Sequence, residues 1–346
     1  MNKKLVSIII VNWNGKAHLE KCLPSLFKQQ YKKIEVILVD NASMDGSVEY
    51  VKKNFPKTII IINKKNLGFA EANNIGYRVV KGEYILFLNN DTYVTDNFLI
   101  NLLRVLNSDL SIGGVQSKIF FMDDKERLDA VGSFLTSSGF LYHYGFAKKD
   151  SKIYDRQIDI YSAKGAAMIF KREVLEKVKV DKEIFDSRYF AYFEETDLCH
   201  RVWMAGYKIA FVPSSKIYHK IGATSSKLDN SFVQYHSFKN RINSYLKNLG
   251  AINLFKIFLW HLFLCEIVLV MYLLRRKFSI AWAIKKAILW NLINISATLR
   301  KRYFIQSKIR TIDDRIFFPI ISKNVPLGYH FYTFLGNLKS YKEKSL

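Results

Sequence analysis

The chain has 346 residues, a hydrophobic fraction of 49% and a formal net charge of +23. That length holds one large core or two domains, and that apolar content excludes a disordered chain. Cys22, Cys199 and Cys265 are odd in number and far apart, which fits neither a disulfide framework nor metal spacing and agrees with a reducing compartment.

The first apolar run, Leu5–Val11, ends in Asn-Trp-Asn-Gly and lacks a small-residue cleavage site. It reads as a buried strand rather than a leader. Ala17–Gln29 places Leu19, Cys22, Leu23, Leu26 and Phe27 at helical spacing. Ile34–Val39 predicts a second strand ending at Asp40, and Asp45 can cap a helix to about Asn54. Ile59–Ile62 predicts a third strand, and Leu67-Gly68-Phe69 opens a helix through Val80. Tyr84–Leu88 is apolar on both faces, as a buried strand should be, and stops at Asn89-Asn90-Asp91-Thr92. A helix over Phe98–Asn107 follows, with Asp96 as a cap. Strands alternating with helices imply an α/β fold: a doubly wound, mostly parallel sheet with right-handed crossovers.

Gly113–Phe121 predicts another strand, and the Gly-, Ser- and Tyr-rich stretch Gly132–Tyr161 predicts hairpins and loops. Gly165–Phe170 reads as a strand and Arg172–Val178 as a short helix. The aromatic stretch Phe185–Phe193 is irregular, and Glu194-Glu195-Thr196-Asp197 opens a helix to Ala205 with Gly206 beyond its end. Tyr207–Val212 predicts a strand stopped by Pro213, with His219 farther on.

From Ser231 onward there are 19 Lys+Arg and 4 Asp+Glu, so this third of the chain carries +15 of the total. Ile252–Leu274 is long enough to span a bilayer but contains Lys256, His261 and Glu266. A charge at bilayer depth costs roughly 2.5–3.5 kcal/mol. Arg275-Arg276-Lys277 closes that run, and Phe278–Leu299 is amphipathic. The expectation is a peripheral set of helices, lying in an anionic cytoplasmic membrane surface or packed on the catalytic part. These helices could also pair two copies as a homodimer. Nucleic acid ranks lower as a partner, because the charge tracks hydrophobicity and no nucleic-acid module is legible.

Several polar residues sit where sheet strands end, the usual place for a ligand in an open α/β sheet. Asp40 can accept hydrogen bonds from a base or ribose, or can cap a turn with Asn41. Asn66-Leu67-Gly68 combines a glycine that allows close backbone approach with a helix N-terminus that offers N–H groups to an anion. An ordinary turn explains it too, but Asn73 and Asn74 inside the helix are poor formers and tip the reading toward function. Asp91 is one carboxylate, and one is enough where substrate phosphates complete a Mg²⁺ or Mn²⁺ shell. Glu194, Glu195 and Asp197 sit at a helix N-terminus, whose dipole favours ionised carboxylates. Ionisation suits a general base; dipole-complementing surface acids are the plainer explanation. His219 alone is more often structural than a ligand.

Together VSIIIVNWNG, LVDNASMDGS, NKKNLGFAEANNIG, YILFLNNDT, GAAMIFKREV, FEETDLCHR and IYHKIGATS resemble the family 2 glycosyltransferases of GT-A fold. The likeness is greatest to the rhamnosyltransferase-like branch and covers about residues 5–225. It implies a catalytic domain over 1–230, with a nucleotide-binding half at 1–110 and an acceptor-binding half at 111–230, before a helical region at 231–346. It further implies that Asn12, Asp40, Asn66, Gly68, Asn89 and Asn90 line the nucleotide. Asn89-Asn90-Asp91 matches the metal-binding DxD-type element with its first acid replaced, which leaves Asp91 and His219 to hold the divalent cation. Glu194-Glu195 matches the acidic pair whose second member is the catalytic base, and Asp197 is the next candidate. The implied reaction is inverting transfer from a nucleotide-diphosphate sugar to a glycan or lipid-linked acceptor in cell-surface polysaccharide synthesis. A polyprenyl-phosphate glycosyltransferase and a non-catalytic nucleotide-sugar-binding scaffold are the alternatives.

Overall fold

A computed structural model describes residues 4–220, 222, 229–326, 328–330 and 340–343. The first half alternates strands and helices: β1 (Val6–Asn12), α1 (Lys16–Phe27), β2 (Ile34–Asp40), α2 (Ser47–Asn54), β3 (Ile59–Ile62), α3 (Gly68–Tyr77), β4 (Tyr84–Asn89), β5 (Thr92–Val94) and α4 (Phe98–Leu106). The second half is richer in strands: β6 (Ile112–Phe121), β7 (Leu128–Ala130), β8 (Gly132–Phe134), β9 (Tyr142–Tyr144), β10 (Ile158–Asp159), β11 (Ala167–Lys171), α5 (Arg172–Val178), α6 (Glu194–Met204) and β12 (Lys208–His219). The main sheet runs β10-β12-β6-β11-β4-β1-β2-β3, with β5 added to β12 and β7 to β6. β1, β2, β3 and β4 are parallel, whereas β11 returns antiparallel between β4 and β6.

Two apolar layers cover the sheet, and strand alternation sorts residues between them. Ile9, Ile37 and Phe87 enter one layer, while Ile8, Ile10, Leu38 and Leu86 enter the other. Both faces are therefore buried, which is why these strands read as unbroken apolar runs. The register sets Asn12 beside Asp40, and Val11 beside Asn89. The polar ends of β1, β2 and β4 thus share one edge.

Three expectations need correction. β12 does not stop at Pro213 but continues to His219, with residues 213–215 looped out between Val212↔Ser117 and Lys216↔Lys118. A strand accepts proline at such a bulge, where no ladder bond is needed. Asp45 lies one residue before the α2 N-cap, Gly46; it still accepts from the Ser47 N–H at 3.1 Å, and from the Lys16 N–H at 2.8 Å, joining two helix starts. The amphipathic run from Phe278 is two helices, broken at Asn294.

The C-terminal helices are α7 (Asn230–Asn248), α8 (Ala251–Leu274, including a π turn at Leu254–Phe258), α9 (Phe278–Ile293), α10 (Ile295–Phe304) and α11 (Asp314–Ile321). α7 docks through a polar stripe rather than an apolar one. Asn240 donates to the carbonyls of Tyr189 (3.0 Å), Ala191 (2.9 Å) and Tyr192 (2.6 Å), and Lys239 donates to that of Arg188 (2.7 Å). The segment it holds, 184–193, contains three residues at positive φ, Phe190, Tyr192 and Phe193. Such backbone cannot satisfy its own polar groups, so a neighbouring helix does. α8 is the one helix among the described residues long and apolar enough to cross a membrane. Its inner face is buried through His261, Cys265, Val268 and Leu269, and the His261 ring lies 3.0 Å from the Ser138 carbonyl.

Candidate active site

The first wall of the site is built on the ends of β1 and β2. Asn12 donates to Asp40 Oδ2 at 2.9 Å and to Ser43 Oγ at 3.1 Å, and its Oδ1 accepts from Asn90 at 2.7 Å. Asp40 is fully buried and also accepts from the Ser43 N–H at 2.8 Å. Asn41 continues the chain of amides to Asn66 and to the Gly68 carbonyl, both at 3.2 Å. Asn12, Asp40, Asn66, Gly68 and Asn90 are thus brought together by direct bonds or through Asn41. Asn89 shares their edge by register alone, and its backbone N–H bonds the Ala166 carbonyl at 3.0 Å.

The reasons given for Gly68 and for the two helical asparagines need correction. Gly68 has φ +80°, and a Cβ there would collide with the Phe190 carbonyl oxygen and ring. The close approach it permits is to protein. The N–H groups of Phe69 and Ala70 donate to that same carbonyl, at 2.6 and 3.1 Å, so the α3 N-terminus is already occupied. Asn74 donates to the Phe185 carbonyl at 2.8 Å and accepts from the N–H groups of Ile184 and Phe185. Asn73 bonds back to the Phe69 carbonyl at 2.9 Å. Asn74 thus holds the irregular 184–193 segment and Asn73 its own helix, rather than a ligand.

The second wall is an acid–imidazole–acid line. His219, at the end of β12, places Nε2 3.3 Å from Asp91 Oδ1 and Nδ1 2.7 Å from Asp129 Oδ2. Burial alone would keep this imidazole neutral; the hydrogen bond to Asp129 and the charges of Asp91 and Asp129 overcome it and raise the pKa to about 9. The contact to Asp91 is within ion-pair reach but poorly aligned, so the buried Asp91 Oδ1 has no hydrogen-bond partner among the described residues. Asp91 also lines a cavity of about 190 Å³ together with Lys21 and Lys220. A carboxylate oxygen without a hydrogen bond, facing an imidazole nitrogen, fits a divalent cation that would take the place of the Nε2 proton, with substrate oxygens and water to complete the shell. No set of three or more His, Cys, Asp or Glu side chains that could hold a metal occurs among the described residues.

Two residues of this wall escape the sequence reading. Asp129 on β7 orients His219, as a carboxylate behind a metal-binding histidine does. Lys164 pairs with the other oxygen of Asp129 and holds that carboxyl below its usual range against the pull of burial. Asp129 lies 90 residues from His219, in no motif, and only the pairing of β7 with β6 brings them together.

The third wall is the start of α6, entered through Phe193 in left-handed conformation. Glu194 is buried and Glu195 half-buried, and Oε2 of each lacks a partner. Burial pushes the pKa of both up, Glu194 further through the charge of Glu195; Lys164 partly offsets the rise at Glu195. The dipole-driven ionisation expected at this helix start is therefore overruled by desolvation. Asp197 is a different case. It meets Lys247 at 3.1 Å, Arg201 at 3.3 Å and Asn248 at 2.9 Å, and these cations hold it low despite burial. A carboxylate so engaged is a structural ion, which corrects its standing as a candidate base.

A parallel β3-β2-β1-β4 sheet, an antiparallel return strand and a polar edge at the strand ends make up a GT-A fold. Residues 7–179, half of the chain, match the family described as "Glycosyl transferase family 2", and the chain belongs to that family. "Glycosyltransferase GlyG" of Streptococcus pneumoniae is 27% identical over 225 residues, 60% of this chain and 68% of that protein. The mannosyltransferase PcManGT of Pyrobaculum calidifontis, solved with GDP-Man and Mn²⁺, superposes with a TM-score of 0.52 at 15% identity, over 99% of this chain and 89% of that one. GalNAc-T7, solved with UDP, GalNAc and Mn²⁺, gives 0.51 at 19% identity; the match covers 63% of this chain and 43% of GalNAc-T7.

Proposed function

We propose that this glycosyltransferase inverts a sugar from a nucleotide-diphosphate donor onto a hydroxyl of a glycan or lipid-linked acceptor, in cell-surface polysaccharide synthesis. Rhamnose as the sugar rests on likeness to one branch of the family. The observation that carries the reading is the line Asp129–His219–Asp91 ending in an unpartnered oxygen, on the same sheet edge as Asn12 and Asp40. Mn²⁺ beside the nucleotide sugar in PcManGT supports it.

The roles follow from the walls. Asp40, Asn12 and Asn66 form the polar floor for the nucleoside, and Asn90 ties that floor to the metal side. A cation held by Asp91 and His219 would supply positive charge to the leaving diphosphate. Glu195 removes the proton of the acceptor hydroxyl as that oxygen attacks the anomeric carbon and the nucleoside diphosphate departs from the opposite face. Glu195 is favoured over Glu194 because it keeps access to solvent, and over Asp197 because that carboxylate is paired. Donor hydrolysis with and without Mn²⁺, in the wild type and in Asp91→Asn, tests the assignment. Loss of the Mn²⁺ response in the variant is expected; an undiminished response removes Asp91 from the site.

The C-terminal helices rest on an anionic membrane surface in this reading. Phe255, Trp260 and Phe263 of α8 and Trp282 of α9 are exposed, and so are Arg275, Arg276 and Lys277 in the turn between the two helices. Aromatic residues with basic neighbours suit an interfacial helix. The buried inner face of α8 favours lying on the bilayer over crossing it. Flotation with phosphatidylglycerol vesicles, lost at high salt and absent with neutral vesicles, is the expected result.

A further inference from the structure

Arg241 on α7 has no carboxylate bound to it among the described residues, and it packs on the ring of Phe193, the residue before the acid pair. Its guanidinium carbon lies 4.8 Å from the ring centre of Phe140, 5.4 Å from Phe193 and 5.6 Å from Phe238. Nε and Nη1 are shut away from water and have no hydrogen-bond partner, while the residue as a whole stays half-buried. Ring faces attract a cation, but they do not accept its N–H groups as a carboxylate or phosphate does. A desolvated guanidinium with unmet donors is costly unless something else satisfies it.

Its position says what that would be. Phe193, one of the three rings, is the residue before Glu194 and Glu195. His143 on β9 feels the positive charge of both Lys164 and Arg241. The backbone under Arg241, 138–140, is clamped by the C-terminal helices: Tyr245 donates to the Gly139 carbonyl, and His261 of α8 meets the Ser138 carbonyl. Arg241 therefore lies between the segment that leads into the acid pair and the helix whose outer face is apolar.

We propose that Arg241 binds an anionic group of the acceptor, a phosphate or diphosphate, and so positions the attacking hydroxyl at Glu195. The inference rests on the glycosyltransferase reading of the acid pair and adds the chemical class of the acceptor. Phosphate and diphosphate carry enough oxygens to accept from several N–H groups of one guanidinium. The same chemistry arises from a lipid diphosphate or from a soluble phosphorylated glycan, and the experiment separates them.

The full chain is tested as wild type, Arg241→Gln and Arg241→Lys, without divalent metal so that the Asp91 site does not hold the probe. Binding is measured to phosphatidylcholine vesicles with and without a polyprenyl diphosphate, and to soluble inorganic pyrophosphate. We expect the wild type to prefer the diphosphate vesicles, and Arg241→Gln to lose about tenfold to a hundredfold of that preference, the worth of a charged hydrogen bond. Arg241→Lys should fold like the wild type and recover only part of the preference. Pyrophosphate binding that depends on Arg241, without a vesicle preference, upholds the anion seat and assigns a soluble acceptor. Equal binding by wild type and both folded variants overturns the proposal. Binding of UDP-, dTDP- or GDP-sugars with Mn²⁺ is measured in parallel. Its failure in the wild type overturns the donor-site reading, whereas its persistence in Arg241→Gln isolates the failure or success of the acceptor seat.

Discussion

Asp129→Asn keeps the size of the side chain and removes the charge that orients His219. The expected result is Mn²⁺ affinity weakened by about tenfold to a hundredfold, with folding preserved. Electron paramagnetic resonance titration of Mn²⁺ measures it, and unchanged affinity would separate Asp129 from the metal. Glu195 makes a second test at this scale. A base works only when deprotonated, and burial lifts this carboxyl above the ordinary glutamate value of 4.5. Transfer should therefore climb with pH through a midpoint above that value, and Glu195→Gln should keep donor binding while losing transfer. A wild-type midpoint at or below 4.5 would contradict the buried setting. Asp91, His219 and the acid pair were legible because each sits in a recognisable run. Asp129 and Lys164 were not, because an isolated acid and an isolated lysine acquire meaning only when β7 pairs with β6, the neighbour of β12, and the stretch before β11 reaches Asp129.

The element that decides the shape of the site is the irregular segment 184–193. Its Phe190 carbonyl takes two N–H groups of α3, Asn74 grips its start, and Asn240 of α7 gathers three carbonyls at its end. Gly68→Ala should displace it, because the new methyl meets the Phe190 carbonyl and the residue must keep φ +80°. A loss of more than about 1 kcal/mol in denaturant unfolding is expected. Stability equal to wild type would mean the segment gives way freely. The strands were legible, since doubly buried strands such as β4 leave unbroken apolar runs; β3, a partly exposed edge strand, and α5 also match their expected bounds, Ile59–Ile62 and Arg172–Val178. The segment itself was not. Its stability comes from donors on α3 and α7, remote in sequence, and not from any period of its own.

At the scale of the whole molecule, the helical region is stitched to the catalytic part by buried ions. Lys247 bridges Asp186 at 2.8 Å and Asp197 at 3.1 Å, and Lys301 reaches Asp186 at 3.2 Å. Lys247→Met leaves two buried carboxylates short of a counter-charge and should cost about 3–5 kcal/mol, read from urea unfolding. The pH dependence has a definite sign. Burial would raise the pKa of Asp186 and Asp197, but the surrounding cations depress both below 3.8. Their stabilisation is present above that value and is lost as pH falls through the depressed ones. Acid should therefore loosen the helical region, and the Lys247→Met protein should show a weaker acid transition. A chain cut before α7 would lose the partners of Asp197 and of the 184–193 carbonyls at once, so it should not yield a soluble catalytic fragment.

The loop-out at Pro213 has a consequence for how this enzyme can change. Before it, even-numbered Ala210 and Val212 enter one core layer; after it, odd-numbered Ile217 enters that same layer. Three extra residues have reversed the phase of the strand, and His219 faces Asp91 only in the reversed phase. The side on which His219 stands is set by the pairing of Lys216, Ile217 and His219 with Lys118, Ile119 and Phe121, so a deletion among residues 213–215 turns the histidine only if that pairing slips by one. The loop, rather than the strand, is therefore where this edge of the sheet can change in length without moving the site.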